Sequence, residues 1–220
     1  MERILVIGSS GHARVVIDLI EQRGQDTIVG VIDSYRAPGE QCMGYVVLGT
    51  PDDLPLLVAE YHATAAVVAI GDNLARSTMA QHVSARCPEL ALVSLVHPSA
   101  SVGRATQIGA GSVILAGAVI GPCCTIGRLC IINTLASLDH DSVLADGASL
   151  APHAATGGGC QIGQHTAIGI GASLIHGMSV GEHSVIGAGA TVLGPIPAYS
   201  VAYGTPARVI RSRVADEPYL

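Results

Sequence analysis

From residue 102 to residue 192 the chain repeats every six residues, and this repeat constrains its fold more than any other feature. Stepping by six from Val102 meets Ile108, Ile114, Ile120, Ile126, Ile132, Leu138, Leu144, Leu150, Thr156, Ile162, Ile168, Leu174, Val180, Ile186 and Val192, so that fifteen of sixteen positions are aliphatic and only Thr156 departs. The residue after the aliphatic one is Gly at 103, 109, 121, 127, 157, 163, 169, 181 and 187. Two residues before it the chain is small, as at Ala118, Cys124, Cys130, Ser142, Ala154 and Cys160, with Met178 as the exception. A period of six fits neither a helical face nor an isolated amphipathic strand; it suits short strands separated by equal bends. The predicted architecture is a β-solenoid whose aliphatic residues point inward. On this reading the small residue fits beside them, and Gly accepts backbone angles that a Cβ resists at the bend. One coil alone leaves its apolar side exposed, so stability comes from stacking on the next.

Composition excludes several classes of function. With 49% hydrophobic and 13% charged residues the chain can bury a substantial core. The mean hydropathy is +0.49, yet the longest strongly apolar run, 63–70, falls far short of the roughly 20 residues a membrane span needs. The opening MERILVIGSSGH has no secretory pattern, and a cytoplasmic protein without membrane contact is expected. A net charge of −6, with no Phe and no Trp, offers neither a basic stripe nor stacking surface for nucleic acid. The six cysteines show no CxxC spacing and are read as reduced thiols.

The first half alternates strand and helix patterns. Residues 3–7 read as a strand, and a glycine turn at 8–12 follows. Next come a helix over 13–23 with Val15, Val16, Leu19 and Ile20 inward, and a strand over 28–32 ending at Asp33. Helices over 52–61 and 74–86 and strands over 65–70 and 91–95 complete a small, mainly parallel α/β sheet, a Rossmann-like domain over 1–96. Ligands of such sheets bind beyond the carboxyl ends of the strands, where a glycine turn lets phosphate approach the amides of a helix N-terminus. Gly8, Ser9, Ser10, Gly11 and His12 occupy that place, although GSSG alone is also what a bare strand-to-helix turn looks like. Asp33 either holds a ribose or base edge or is a solvated strand-end carboxylate. Gly71, Asn73 and Arg76 end another strand and could give donors to a sugar or phosphate.

Residues 97–210 resemble the hexapeptide-repeat acyltransferases. The resemblance implies a left-handed parallel β-helix over 97–220, with three strands and eighteen residues per coil, about five coils and roughly 24 Å of stacked strands. GSSGHARVVIDLI, then VIDS, then AIGDN with Arg76, ahead of such a domain, look like the family that acetylates amino groups of nucleotide-linked sugars, with its relatives the sialic acid O-acetyltransferases. The likeness spans essentially the whole chain. It implies an acetyl-CoA-dependent transferase without a metal, a nucleotide-linked amino sugar held by the α/β domain, and a homotrimer with coenzyme A between neighbouring prisms. Its products would feed surface polysaccharides such as O-antigen, with GDP-perosamine the favoured substrate.

The stretch 133–141, NTLASLDHD, loses the glycine register, since Asn133 and Asp139 replace Gly. The resemblance places the catalytic base at His140, with Asp141 as its partner and Asn133 at a further polar motif position. An imidazole titrating near neutrality can take a proton from an attacking amine. Neighbouring side chains on a strand point apart, so Asp141 reaches the ring only if the chain bends there, and Asp139 is the alternative partner. Gly158 lies eighteen residues on, one coil above His140, where its bare amide suits an oxyanion hole; three consecutive glycines could instead relieve a tight bend. His176, two coils from His140 in the same column, is expected to be too far to share the proton. The family's second histidine, nine residues after the first, is replaced here by Ser149, with His153 four further on. The closing Gly204-Thr205-Pro206-Ala207-Arg208 resembles the family's G-x-P-A-[KR] turn, which implies that Gly204, Pro206, Ala207 and Arg208 receive coenzyme A, with Arg211 nearby.

The nearest rival is O-acetylation of sialic acid or another sugar hydroxyl, which would use the same base, and two other classes compete with both. A β-helix metalloenzyme of the γ-carbonic anhydrase type could use His165 and His183, which are eighteen apart, though a catalytic zinc wants three protein ligands. A non-catalytic scaffold would need no base at position 140.

Overall fold

A computed structural model describes residues 1–219, which form two compact units, the first over Met1–Leu95 and the second from Val96 onward. In the first, β1 (Arg3–Ile7), α1 (Gly11–Arg23), β2 (Thr27–Ile32), β3 (Gln41–Cys42), β4 (Tyr45–Gly49), α2 (Leu54–Tyr61), β5 (Ala65–Val68), α3 (Asn73–Arg86) and β6 (Ala91–Leu92) follow in order. The sheet order is β3-β4-β2-β1-β5-β6, with every pair parallel except β3 with β4. Ile4 to Ile7 and Ala65 to Val68 are almost fully buried, as expected for central strands covered on both faces. The order reverses at β1, which puts the turns after β1, β2 and β5 side by side at the carboxyl edge.

Three sequence expectations change in this unit. Helix α1 buries Ala13, Val16, Ile17, Leu19 and Ile20, while Val15 is 41% exposed; at 3.6 residues per turn position 15 falls opposite the stripe formed by 13, 16, 17 and 20. The expected strand over 91–95 divides, because β6 stops at Leu92 and Leu95–Val96 begins the eight-stranded sheet of the β-helix. The β3–β4 hairpin was not expected. Its two-residue turn, Met43-Gly44, has both residues at positive φ (52° and 83°), the geometry that Asn-Gly normally announces. Met at the first position hides the signal.

The second unit is a parallel β-helix. Two-residue strands stack eighteen residues apart into three faces, as in Val113↔Ile131↔Ser149↔Ala167↔Val185, Ser101↔Val119↔Ser137↔Ala155↔Ser173↔Thr191, and Gln107↔Thr125↔Val143↔Gln161↔Ser179. From Ile114 onward the aliphatic residue of each hexad enters one continuous core with the small residues beside it, Ile108 packs against that core partly buried, and Val102 at the end of the stack is exposed. Strands Ser200–Tyr203 and Arg208–Ser212 close one end as an antiparallel pair.

The repeating glycine has a different role from the one expected. The left-handed angles fall three residues after each aliphatic position, at Ala105, Cys123, Leu129, Leu135, Asp141, His153, His165 and His183 as well as at Gly111 and Gly147. The glycine directly after the aliphatic residue answers to space: a Cβ on Gly121 would lie 2.5 Å from the His140 backbone nitrogen, and one on Gly163 2.4 Å from that of Glu182. Coils stack so closely at this corner that the backbone of the next one fills the volume of a methyl group.

The small register is also polar for a reason. Ser112 Oγ donates to Gly127 O (2.8 Å) and accepts from Cys130 N (2.9 Å), and Thr166 Oγ1 likewise joins Gly181 O to Ser184 N. Cys124, Cys130 and Cys160 take the same place, their thiols donating to Asp139, Ala145 and Ile175 carbonyls at 3.1–3.3 Å. Burial pushes the Cys124 and Cys160 thiols up, so both remain protonated and inert at neutral pH. No disulfide joins any of the six cysteines.

Candidate active site

His140 sits on a corner of the β-helix, two residues after the inward-facing Leu138. The backbone there is held by a Pro122 carbonyl that accepts from Asp141 N (3.1 Å) and by Thr156 Oγ1, which accepts from Asp139 N (3.0 Å). Thr156 is thus the exception in the aliphatic column because its hydroxyl supports the turn that carries His140, a purpose the sequence pattern did not disclose. Asp139 Oδ1 accepts from the His140 amide (2.7 Å). Asp141 has φ 57°, and this left-handed bend turns its carboxylate back onto its neighbour: His140 Nδ1 lies 2.7 Å from Asp141 Oδ2. Asp141, not Asp139, is the partner of the ring. The hydrogen bond to Asp141 raises the His140 pKa, with Asp139 and Asp141 charges adding to it against a smaller opposing effect of desolvation. Nδ1 is occupied, and Nε2 makes no hydrogen bond among the described residues.

Nε2 faces Gly158. A Cβ at that position would lie 2.4 Å from Nε2 and 2.5 Å from Cε1, so the ring packs against a residue that has to be glycine. The backbone on either side is fixed, since Gly159 N donates to His140 O (2.8 Å) and Gly177 N to Gly158 O (2.9 Å). The Gly158 N–H has no hydrogen-bond partner among the described residues. Beyond Gly158 the His176 ring comes to 5.9 Å from the His140 ring, centroid to centroid, at an interplanar angle of 48°. The rings thus come closer than two coils of stacking would set them, although no hydrogen bond joins them. The bare position between the two rings lets both lean into the gap.

Asn133 and His153 lie on other corners. Asn133 Oδ1 accepts from Thr134 N (2.8 Å), His153 N donates to Thr134 O (3.1 Å), and neither side chain is hydrogen-bonded to His140. At the closing turn, Gly204 has φ 100° and precedes a cis Thr205-Pro206 bond. Ala207 is buried and its amide donates to Thr191 O (2.8 Å). Arg211 is taken by Glu217, whereas the guanidinium of Arg208 donates to the Ala207 carbonyl (3.0 Å) and has no carboxylate partner among the described residues. His165 Nδ1 and His183 Nε2 are 3.4 Å apart, and Tyr199 stacks on His183. Among the described residues no group of three or more His, Cys, Asp or Glu could hold a metal ion.

In the α/β unit, Gly8 has φ 110°, and a Cβ there would lie 2.9 Å from Ala69 O. Gly8→Ala is therefore expected to cost about 1–3 kcal/mol of stability, read as a lower denaturant midpoint for the unfolding of this unit. Ser9 Oγ donates to Asp33 Oδ2 (2.6 Å), and the Tyr35 and Arg36 amides donate to Asp33 Oδ1. Burial alone would raise the Asp33 pKa; these hydrogen bonds together outweigh it and hold the carboxyl below its usual range. Asp33 is buried and anchors the turn, so it is not a freely solvated carboxylate. Ser10 and Gly11 are exposed at the start of α1, and the Ser10 side chain makes no capping bond, which leaves the helix N-terminus open to an anion.

Two expected ligand contacts are corrected. Arg76 has no exposed surface and Asn73 is 1% exposed. The Arg76 guanidinium donates to the carbonyls of Ile70 and Gly71 and to Asn73 Oδ1 (3.0, 2.9 and 2.7 Å). Both residues build the loop from within, because three converging carbonyls at the end of β5 need donors and this buried cation provides them. Gly71 shares that loop. Burial, aided by the Arg76 charge, lowers the His12 pKa to about 4, so this ring stays neutral at pH 7. Its Nε2 has no hydrogen-bond partner among the described residues.

The fold has known counterparts. The PglD N-terminal domain family matches residues 3–83. A His-to-Ala variant of GDP-perosamine N-acetyl transferase from Caulobacter crescentus, in complex with CoA and GDP-perosamine, is similar over 96% of this chain and 98% of its own, at 33% identity and a TM-score of 0.91. The chain belongs to the hexapeptide-repeat sugar-nucleotide N-acetyltransferase family. The acetyltransferase domain of PglB from Neisseria gonorrhoeae, in complex with acetyl coenzyme A, is similar at 32% identity, 95% of this chain, 99% of its own and a TM-score of 0.86. Comparison with curated proteins gives no match. As a member of this family the chain is an acetyl-CoA-dependent acyltransferase, with a Rossmann-like N-terminal domain ahead of a hexapeptide β-helix. No helix among the described residues is long and apolar enough to cross a membrane.

Proposed function

We propose that this enzyme moves the acetyl group of acetyl-CoA onto the 4-amino group of a nucleotide-linked 4-amino-4,6-dideoxy sugar, GDP-perosamine first, by direct attack in a ternary complex. The observation that carries this is the His140–Asp141 pair packed against Gly158: an imidazole whose pKa Asp141 raises and whose Nε2 occupies the space a side chain on Gly158 would need, beside a peptide N–H without a partner among the described residues. His140 takes the proton of the attacking amine, Asp141 holds the ring in the tautomer with its proton on Nδ1, and the Gly158 N–H receives the developing oxyanion. Gly8 to His12 and Asp33 form the nucleotide side, and the Gly204 to Arg208 turn forms the coenzyme A side. A homotrimer, a cytoplasmic location and a place in O-antigen assembly belong to the same reading.

The test is acetyl-CoA with a panel of GDP-, dTDP- and UDP-linked 4-amino sugars and with sialic acid, followed by mass analysis of the product. An amide on GDP-perosamine is the expected outcome; an ester on sialic acid with every amino sugar unchanged replaces the reading with O-acetylation. Asp141→Asn makes a second check. Since the hydrogen bond to Asp141 raises the His140 pKa and the base must be unprotonated to act, its loss is expected to move the acid limb of kcat/KM to lower pH, together with a lower rate. A pH–rate series of both proteins decides it.

A further inference from the structure

We propose that Thr156 is a positioning residue of the acetyl transfer: its hydroxyl replaces a main-chain carbonyl in the ladder between coils and so holds the turn that carries His140, at a cost in local stability. This rests on the reading of His140 as the base. Thr156 is buried in the inward-facing column that is otherwise aliphatic. Along the β-helix the amide just after each inward residue donates to a main-chain carbonyl of the next coil. Gly121 N to Leu138 O (2.8 Å), Asn133 N to Leu150 O (2.9 Å) and Gly157 N to Leu174 O (2.9 Å) are examples, and the bond recurs at every sixth residue from Gly103 to Gly187. Among the described residues Asp139 is the one break in that series. Its amide donates to Thr156 Oγ1 (3.0 Å) and not to Thr156 O. The strand pairing is interrupted at the same place: Val119↔Ser137 is followed by Ile120↔Leu138, and Ala155↔Ser173 by Thr156↔Leu174, but Ser137↔Ala155 has no second pair. The Thr156 carbonyl is thereby left without a hydrogen bond among the described residues.

A side chain that takes the place of a carbonyl in so regular a ladder weakens it, because a main-chain acceptor withdrawn from water goes unpaired. An aliphatic residue at 156 would avoid that cost. What the exchange provides lies at the catalytic corner. Both main-chain polar groups of Asp139 are held by side chains, the amide by Thr156 Oγ1 and the carbonyl by the Cys124 thiol (3.1 Å). The Asp139 carboxylate in turn accepts from the His140 amide (2.7 Å), and the left-handed Asp141 brings its own carboxylate to His140 Nδ1 (2.7 Å). On the next coil Thr156 directly precedes Gly157-Gly158, the second of which packs against the His140 ring. One hydroxyl therefore ties the turn of the base to the segment beside it. Returned to the carbonyl, the Asp139 amide would draw the start of this turn into the ordinary ladder and displace His140 from the reacting atoms.

The experiment measures thermal melting, kcat and both KM values for the full-length protein with acetyl-CoA and GDP-perosamine, in wild type, Thr156→Val and Thr156→Ser. Val has the shape of Thr without the hydroxyl and completes the aliphatic column. Thr156→Val is expected to melt at or above the wild-type temperature while kcat falls about 10²-fold. Its KM values should stay within about twofold of wild type, since the loss falls on the chemical step and not on binding. Thr156→Ser keeps the hydroxyl and loses a core methyl, so it should melt lower and yet hold kcat to within about threefold. Activity and stability thus run in opposite order in the two variants, which a hydroxyl serving the fold alone would not produce. Wild-type kcat in Thr156→Val overturns the proposal, as does a Thr156→Ser that loses as much activity as Thr156→Val, or a Thr156→Val that melts below Thr156→Ser. Wild-type protein that acetylates no amino sugar would instead overturn the acetyl-transfer reading itself; that result needs no variant, so the two failures are separable.

Discussion

His140→Asn is expected to lower kcat by about 10²–10⁴-fold, the usual worth of a positioned general base, while the protein melts as the wild type does. The side chain is 46% exposed, its ring is not part of the β-helix core, and the supports of its turn are backbone contacts to Pro122, Thr156 and Gly159 that Asn leaves in place. The isosteric amide retains a donor and an acceptor yet takes up no proton near neutrality. A thiol-release assay at saturating acetyl-CoA measures the loss. A variant that turns over within a few-fold of wild type would mean that water removes the proton and that the Asp141 contact has another purpose.

Gly158→Ala is expected to be nearly as damaging, by about 10²-fold in kcat/KM, although it adds one methyl group and removes no functional atom. The new Cβ would lie 2.4 Å from Nε2 and 2.8 Å from Cδ2 of His140, so the ring has to swing away. Swinging breaks its alignment with Asp141 and closes the space in which an acyl group meets the Gly158 N–H. The His140 ring is at the surface and can yield, so the loss should appear in activity and hardly in the melting temperature. Gly159→Ala provides the contrast: a Cβ there approaches nothing closer than 4.0 Å, but Gly159 has φ 70°, so it should cost stability and leave the His140 pocket open. Equal activity loss in both variants would reduce the role of Gly158 to a tight bend.

Much of this was legible in the residue order. A strict hexad with aliphatic, small and glycine registers has no other compact solution than stacked short strands, and the alternating first half was equally plain. The His140, Asp141 and Gly158 set stood out where the glycine register fails and where three glycines follow one coil on. Other features could not be read that way. Arg76 looks in sequence like a phosphate ligand beside a glycine turn, but the end of β5 brings three carbonyls together and absorbs the guanidinium. Met43 conceals a turn normally marked by Asn. Thr156 only interrupts the aliphatic column in sequence, whereas in the fold its hydroxyl accepts from the Asp139 amide.

What the sequence determined alone is the period: side chains six apart must share an environment and those eighteen apart must stack, because the spacing of coils is set by backbone hydrogen bonding and is the same for every residue type. What only the tertiary structure decided is how far side chains reach across that lattice. The left-handed bend at Asp141 folds its carboxylate onto the preceding ring, and the empty place at Gly158 lets two imidazoles two coils apart close to 5.9 Å. Neither follows from periodicity, since both depend on which direction a side chain leaves the corner and on what its neighbours lack.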